Sequence, residues 1–119
     1  MANPGRACTR EKGKQTMLLI DAQCTILPER REDFLRETNS IIPVVRKEVG
    51  CTRYDLVADT ASTAIFHFIE EWESQRHLDD HLDCPHMRDY FAKTFACHAA
   101  PTLLKVYEVS GSRSVTPGT

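Results

Sequence analysis

Between Thr63 and Tyr90 the chain changes its apolar pattern once, at a residue suited to mark the change. Thr63–Glu73 is rich in aromatic and β-branched residues and sets Phe66, Phe68, Glu70 and Trp72 on one side, as a strand does. Ser74 is a good helix N-cap, and the residues from it to about Leu82 read as a helix with Leu78 and Leu82 as its inward pair. Cys84-Pro85 restarts a second helix, whose apolar face is Met87, Tyr90, Phe91, Thr94 and Phe95. A strand that feeds directly into helices has to pack against them.

The rest of the chain supplies the partners such a unit needs. Met17–Leu27 alternates Leu18, Ile20, Ala22, Cys24 and Ile26 against Asp21, Gln23 and Thr25, which is a strand. Pro28 suits a helix start, and Glu29, Glu32 and Asp33 favour that end of the dipole. Phe34, Leu35, Thr38, Ile41, Ile42, Val45 and Val49 then recur at helical spacing, with a kink expected at Pro43 and an end at Gly50. Cys51–Ala58 is a second strand, with Tyr54 and Leu56 facing one way and Arg53 and Asp55 the other. Asp59–Ser62 is a polar turn into the strand described first, and Thr102–Val109 alternates as a fourth strand. The order β-α-β-β-α-β predicts an α+β ferredoxin-like fold, an antiparallel sheet with helices on one face. The second face of such a sheet wants a cover, so a homodimer is expected.

Three regions follow: residues 1–15 as a flexible polar arm, 16–109 as the folded domain, and 110–119 as a disordered tail. Arg6, Arg10, Lys12 and Lys14 have no aromatic residues among them, and the net charge of −2 gives no reason to expect nucleic acid or an anionic membrane. No apolar run approaches the roughly 20 residues of a membrane span, and nothing resembles a secretory signal. Five scattered cysteines without a Cys-x-x-Cys pair fit free thiols in a reducing, cytoplasmic setting. No flavin, nicotinamide or phosphate-binding motif is present.

Several short motifs in order carry a resemblance. Glu48-Val49-Gly50-Cys51 followed by Tyr54, then Glu70-x-Trp72-Glu73-Ser74, then His81, then Pro85-His86-Met87, together with Ile42-Pro43-Val44-Val45 before Lys47-Glu48, resemble the antibiotic-biosynthesis monooxygenase superfamily. The branch they look most like is its bacterial quinol monooxygenases. The resemblance spans about Met17 to Val109. It implies a dimeric α/β barrel with a pocket between sheet and helices in each subunit. It also implies oxidation of a quinol or related polyphenol by dioxygen as co-substrate, without metal, flavin or haem. The superfamily also holds haem-degrading enzymes and a sugar isomerase, so fold alone does not choose the reaction.

Oxygenation without a cofactor needs a deprotonated substrate, a dry cavity, and a donor for the charge that develops on oxygen. His81 is the first choice of base, since its residue type titrates near neutrality and it lies on the helix after the Trp72 strand. The alternative is a histidine bonded to a carboxylate such as Asp80 or Glu70. Glu70, between Phe68 and Trp72, either relays protons or makes a salt link to Arg53 or Lys105. His86 reaches the pocket mouth or caps its helix. Trp72, Tyr54 and Tyr90 are candidate substrate contacts, and His67 falls on the opposite, dimer-facing side.

Three further readings stay open. His77-x3-His81-x2-Cys84-x-His86 gathers four potential metal ligands into ten residues, although Pro85 interrupts the helix between them. Haem degradation fits less well: by resemblance that branch carries an Asn in the first strand, absent from Met17–Leu27, and has a Trp where His81 stands and a His where Tyr90 stands. A proton-transfer isomerase of a small hydroxyketone, or a non-catalytic dimeric module holding a small aromatic ligand, would use the same residues.

Overall fold

The computed structural model describes residues 16–118; the basic arm over residues 1–15, Cys8 and Thr119 lie outside the described residues. Four strands, β1 (Met17–Thr25), β2 (Cys51–Ala58), β3 (Ile65–Trp72) and β4 (Leu103–Val109), form one antiparallel sheet in the order β2-β3-β1-β4. Three helices cover it: α1 (Arg31–Val45), α2 (Gln75–Asp83) and α3 (Pro85–Thr94), with single 3-10 turns at Pro28–Arg30 and Phe95–Cys97. This is the ferredoxin-like arrangement, two interleaved β-α-β crossovers. No helix among the described residues is long and apolar enough to cross a membrane.

Period-two alternation decides which face is core. Leu18, Ile20, Ala22 and Cys24 of β1 and Phe66, Phe68, Glu70 and Trp72 of β3 are buried beneath the helices. Phe34 of α1 packs on Phe66 and Phe68 at ring separations of 5.2 and 6.3 Å. Each such side chain taken from water contributes about 1.5–3 kcal/mol. In β2 the register shifts between Cys51 and Arg53, so Thr52 is the extra residue of a bulge. Tyr54 therefore stands opposite Glu70 on the helix side, three residues after Cys51 opposite Trp72.

The helix that begins the first crossover continues through Pro43 for two residues, and the Arg46 N–H still reaches the Ile42 carbonyl at 3.0 Å. A turn follows in which Gly50 has φ +87, and a side chain there would collide with the His77 ring. The Gly50 carbonyl accepts the Glu73 N–H at 2.8 Å, which fastens this turn to the end of β3.

Several expected inward residues face out instead. Leu82 is exposed, and His81 takes the buried place beside Leu78. Phe91, Phe95 and Val49 are exposed as well, leaving Met87, Tyr90 and Thr94 as the inner face of α3. The alternation of β4 does not translate into burial: Leu103, Leu104, Val106 and Tyr107 are 42–64% exposed, since no element among the described residues packs over either face of this edge strand. Ser110–Gly118 contains neither helix nor strand.

Candidate active site

Two anchored segments bring an acid to His81. The turn after α1 is tied by Glu48 N–H to the Val45 carbonyl at 2.9 Å and by Cys51 N–H to the Glu48 carbonyl at 3.2 Å. Ser74 caps α2 by accepting the His77 N–H at 3.3 Å, and shares a 2.7 Å hydrogen bond with His77 Nδ1. His81, one turn further along α2, points inward and is only 1% exposed. Its Nδ1 lies 3.0 Å from both carboxylate oxygens of Glu48. The carboxylate accepts, so Nδ1 carries the hydrogen. No hydrogen bond among the described residues engages Nε2.

Aromatic rings enclose this imidazole. The Trp72 ring lies 4.6 Å from it at 32°, and Tyr54 meets it edge-on at 5.5 Å. Burial pushes His81 below the ordinary histidine range, against the opposing pull of Glu48. The lowered pKa favours the neutral imidazole, which lies against both rings.

Glu70 occupies the neighbouring position on the sheet. It is 5% exposed and its Oε1 accepts the indole N–H of Trp72 at 2.9 Å. Burial, opposed by that bond and assisted by the charge of Glu48, raises its pKa to about 7. The alternative salt links do not form: Arg53 pairs with Asp55 and Glu71, and Lys105 lies over Tyr107. Nor is Glu70 or Asp80 the carboxylate bonded to His81. Asp80 is paired with Arg76, and Glu48 holds the imidazole. Sequence reading missed that role because Glu48 is 33 residues away in an irregular turn. Its presence in the Glu48-x-Gly50-Cys51 motif was the one available signal.

His86 does not cap its helix; its Nε2 lies 2.6 Å from Glu48 Oε2 and 3.2 Å from Cys84 Sγ. His77, turned to Ser74, takes no part in this cluster. Tyr90 is buried between helices, its hydroxyl 2.6 Å from Thr38 Oγ1, and burial raises its pKa. Tyr54, also buried, is raised further by Glu70 and other acidic neighbours. An open groove of about 620 Å³ lies between α1 and β2, lined by Leu35, Asn39, Ile42, Arg46, Leu56 and Phe66 among others. It contains none of the six sequence-predicted site residues, but Leu56 in its wall lies two residues from Tyr54 on the same face of β2.

Fold and site together define an α+β ferredoxin-like domain with a buried histidine–carboxylate pair between its sheet and its helices. The chain belongs to the antibiotic biosynthesis monooxygenase family, whose model matches residues 17–93. It is 36% identical over 84 residues, 62% of this chain and 81% of the relative, to the Escherichia coli protein named "Probable quinol monooxygenase YgiN". A Bacillus subtilis relative, "Putative monooxygenase YcnE", is 29% identical over 85 residues, 71% of this chain and 90% of its own. Among solved structures, Rv0793 from Mycobacterium tuberculosis superposes with a TM-score of 0.76 at 23% identity, over 82% of this chain and 99% of that one, a likeness of fold.

Proposed function

We propose that this protein is a cofactor-independent monooxygenase that oxidises a quinol or related polyphenol with dioxygen. The observation that carries the reading is the buried His81: Nδ1 is tied to Glu48, Nε2 has no partner among the described residues, and two aromatic rings lie against it. The family and the name of the Escherichia coli relative support the choice of reaction.

In this reading Nε2 removes a phenolic proton. The quinol anion passes one electron to dioxygen, the radical pair recombines to a ring hydroperoxide, and loss of water leaves one oxygen atom on the ring. Glu48 orients the imidazole and stabilises the imidazolium. Glu70, poised between its two protonation states at neutral pH, relays protons to the departing water. His86 steadies Glu48 from its other side, and Trp72, Tyr54 and Tyr90 shape the space for the substrate ring. In the same reading the substrate approaches from the α1–β2 groove, whose wall includes Leu56 two residues from Tyr54.

The same reading has the protein act as a homodimer. Exposed apolar side chains on β4 and that strand's free edge are the kind of surface a second copy covers.

Oxygen uptake with a panel of benzoquinols and naphthoquinols tests the proposal. Turnover that stops without oxygen and collapses in His81→Ala is expected. Equal rates for wild type and variant would remove the base, and product formed anaerobically would point to isomerase chemistry instead.

A further inference from the structure

We propose that Glu48, Cys84 and His86 form a binding site for one thiophilic divalent cation of the zinc type. This goes beyond the oxygenase reading and does not depend on it.

The site arises where α2 hands over to α3. Cys84 is extended there (φ −77, ψ 156) and Pro85 opens the new helix, so Cys84 and His86, two residues apart, both turn toward the Glu48 turn. Their donor atoms face one space: Glu48 Oε2 to His86 Nε2 is 2.6 Å, His86 Nε2 to Cys84 Sγ is 3.2 Å, and Cys84 Sγ to Glu48 Oε2 is 4.0 Å. A tetrahedral zinc ion bonds nitrogen and oxygen at about 2.0 Å and sulfur at about 2.3 Å, which sets its ligand atoms roughly 3.3–3.6 Å apart. The three distances straddle that spacing, and reaching it takes side-chain shifts of less than about an ångström. His86 and Glu48 are both partly exposed, which gives them room to move and a solvent path to a fourth, water ligand.

Hydrogen counting also favours a cation. The Cys84 thiol sits 3.2 Å from the His81 carbonyl, to which it donates, and Nε2 of His86 has one hydrogen for Glu48. Glu48 Oε2 is a second acceptor for that one thiol hydrogen, and His86 Nε2 lies beside the same sulfur, so two hydrogens serve more contacts than they can fill. A cation satisfies all three atoms at once. On binding, the thiol gives up its proton and His86 holds its ring hydrogen on Nδ1, so that Nε2 and the thiolate both face the ion. One thiolate, one imidazole and one carboxylate suit zinc rather than magnesium or calcium, which take oxygen ligands. The other described cysteines lie elsewhere: Cys24 Sγ meets Thr102 Oγ1, Cys51 Sγ meets the Arg53 carbonyl, and Cys97 is buried.

Cobalt(II), used alone as the probe on reduced, chelator-treated, tag-free protein, tests the site. One equivalent is expected to produce thiolate-to-cobalt charge-transfer absorption together with visible bands of tetrahedral intensity, all bleached by one equivalent of zinc. Cys84→Ala, and Cys84→Ser as a second variant of closer size, should each lose the charge-transfer absorption, with circular dichroism confirming the fold. Absence of that absorption in wild type, or its survival in a folded Cys84 variant, would overturn the proposal. Oxygen uptake is measured on the chelator-treated protein, in which Glu48 holds His81 and no ion, so the two readings fail separately.

Discussion

A histidine–carboxylate pair lies on each side of the sheet, one on its strands and one brought by a helix and a turn, and the two differ in burial. On the uncovered face His67 Nδ1 lies 2.6 Å from Asp21 Oδ1, with the side chains 26% and 40% exposed. On the helix-covered face His81 Nδ1 lies 3.0 Å from Glu48, with exposures of 1% and 15%. The shorter contact is the solvated one. Water screens it, and such pairs contribute roughly 0–1 kcal/mol. The longer contact is largely buried, has rings against it, and leaves its second nitrogen without a hydrogen-bond partner among the described residues. Burial, and not bond length, separates a surface pair from a candidate base.

The largest way to break this comparison is to remove each imidazole. His81→Ala is expected to lower quinol-dependent oxygen uptake by about 10²–10⁴-fold, the usual contribution of a general base. His67→Ala should leave it within about twofold, as befits a solvated pair. Equal losses would mean that the two faces do not differ in function.

Removing the acids comes next. Glu48→Gln releases the constraint on which imidazole nitrogen carries the hydrogen, so kcat/KM should fall by at least about tenfold, mostly in kcat. It also removes the charge that holds the His81 pKa up, so the acidic limb of the pH–rate profile should move to lower pH. Asp21→Asn should move neither.

The smallest effect is on stability and tests whether Glu70 is as dry as the geometry indicates. Its folded pKa of about 7 exceeds the ordinary 4.5, so the native state holds its proton more tightly. Its contribution to stability is therefore full below about pH 4.5 and is lost as pH rises through 7, a change on the order of 3 kcal/mol. His81 has the opposite sign: its folded pKa is lowered, so its contribution is present above about pH 6.5 and fades as pH falls through the folded value. The two partly cancel in wild type. Denaturant unfolding of Glu70→Gln, whose amide oxygen still accepts the Trp72 N–H, should show a gain over wild type at pH 8 that vanishes near pH 4. A constant difference across that range would argue that Glu70 titrates normally.

How much of this was legible in the chain depends on how local each cause is. Strand alternation and the Ser74 cap act over a few residues, so β2 is legible to its observed bounds and β1, β3, β4 and α2 to within two residues, whereas the first helix, expected to end at Gly50, ends at Val45. The inward side of α2 was not legible: Leu78 has neighbours at both i+3 and i+4, and helical spacing allows either His81 or Leu82 to turn in. The space under Trp72 and Tyr54, together with the Glu48 carboxylate, selects the imidazole. The acid itself arrives through tertiary structure, by a glycine turn pinned to the end of β3. The alternation of β4 suggests a half-buried strand, but burial needs a neighbour, and the described residues supply none there. Tyr54 and Tyr90 were correctly expected to be aromatic and inward, yet they fall in different places, one against His81 and the other against Thr38.

The central claim is that His81 is a neutral imidazole presenting an unprotonated Nε2. Long-range nitrogen–proton correlation spectra of histidine-labelled protein at pH 7, assigned with the His81→Gln variant, measure this directly. The neutral Nδ1–H tautomer, with Nε2 at the shift of a bare nitrogen, is the predicted result; an Nε2–H tautomer or a fully protonated ring would contradict it.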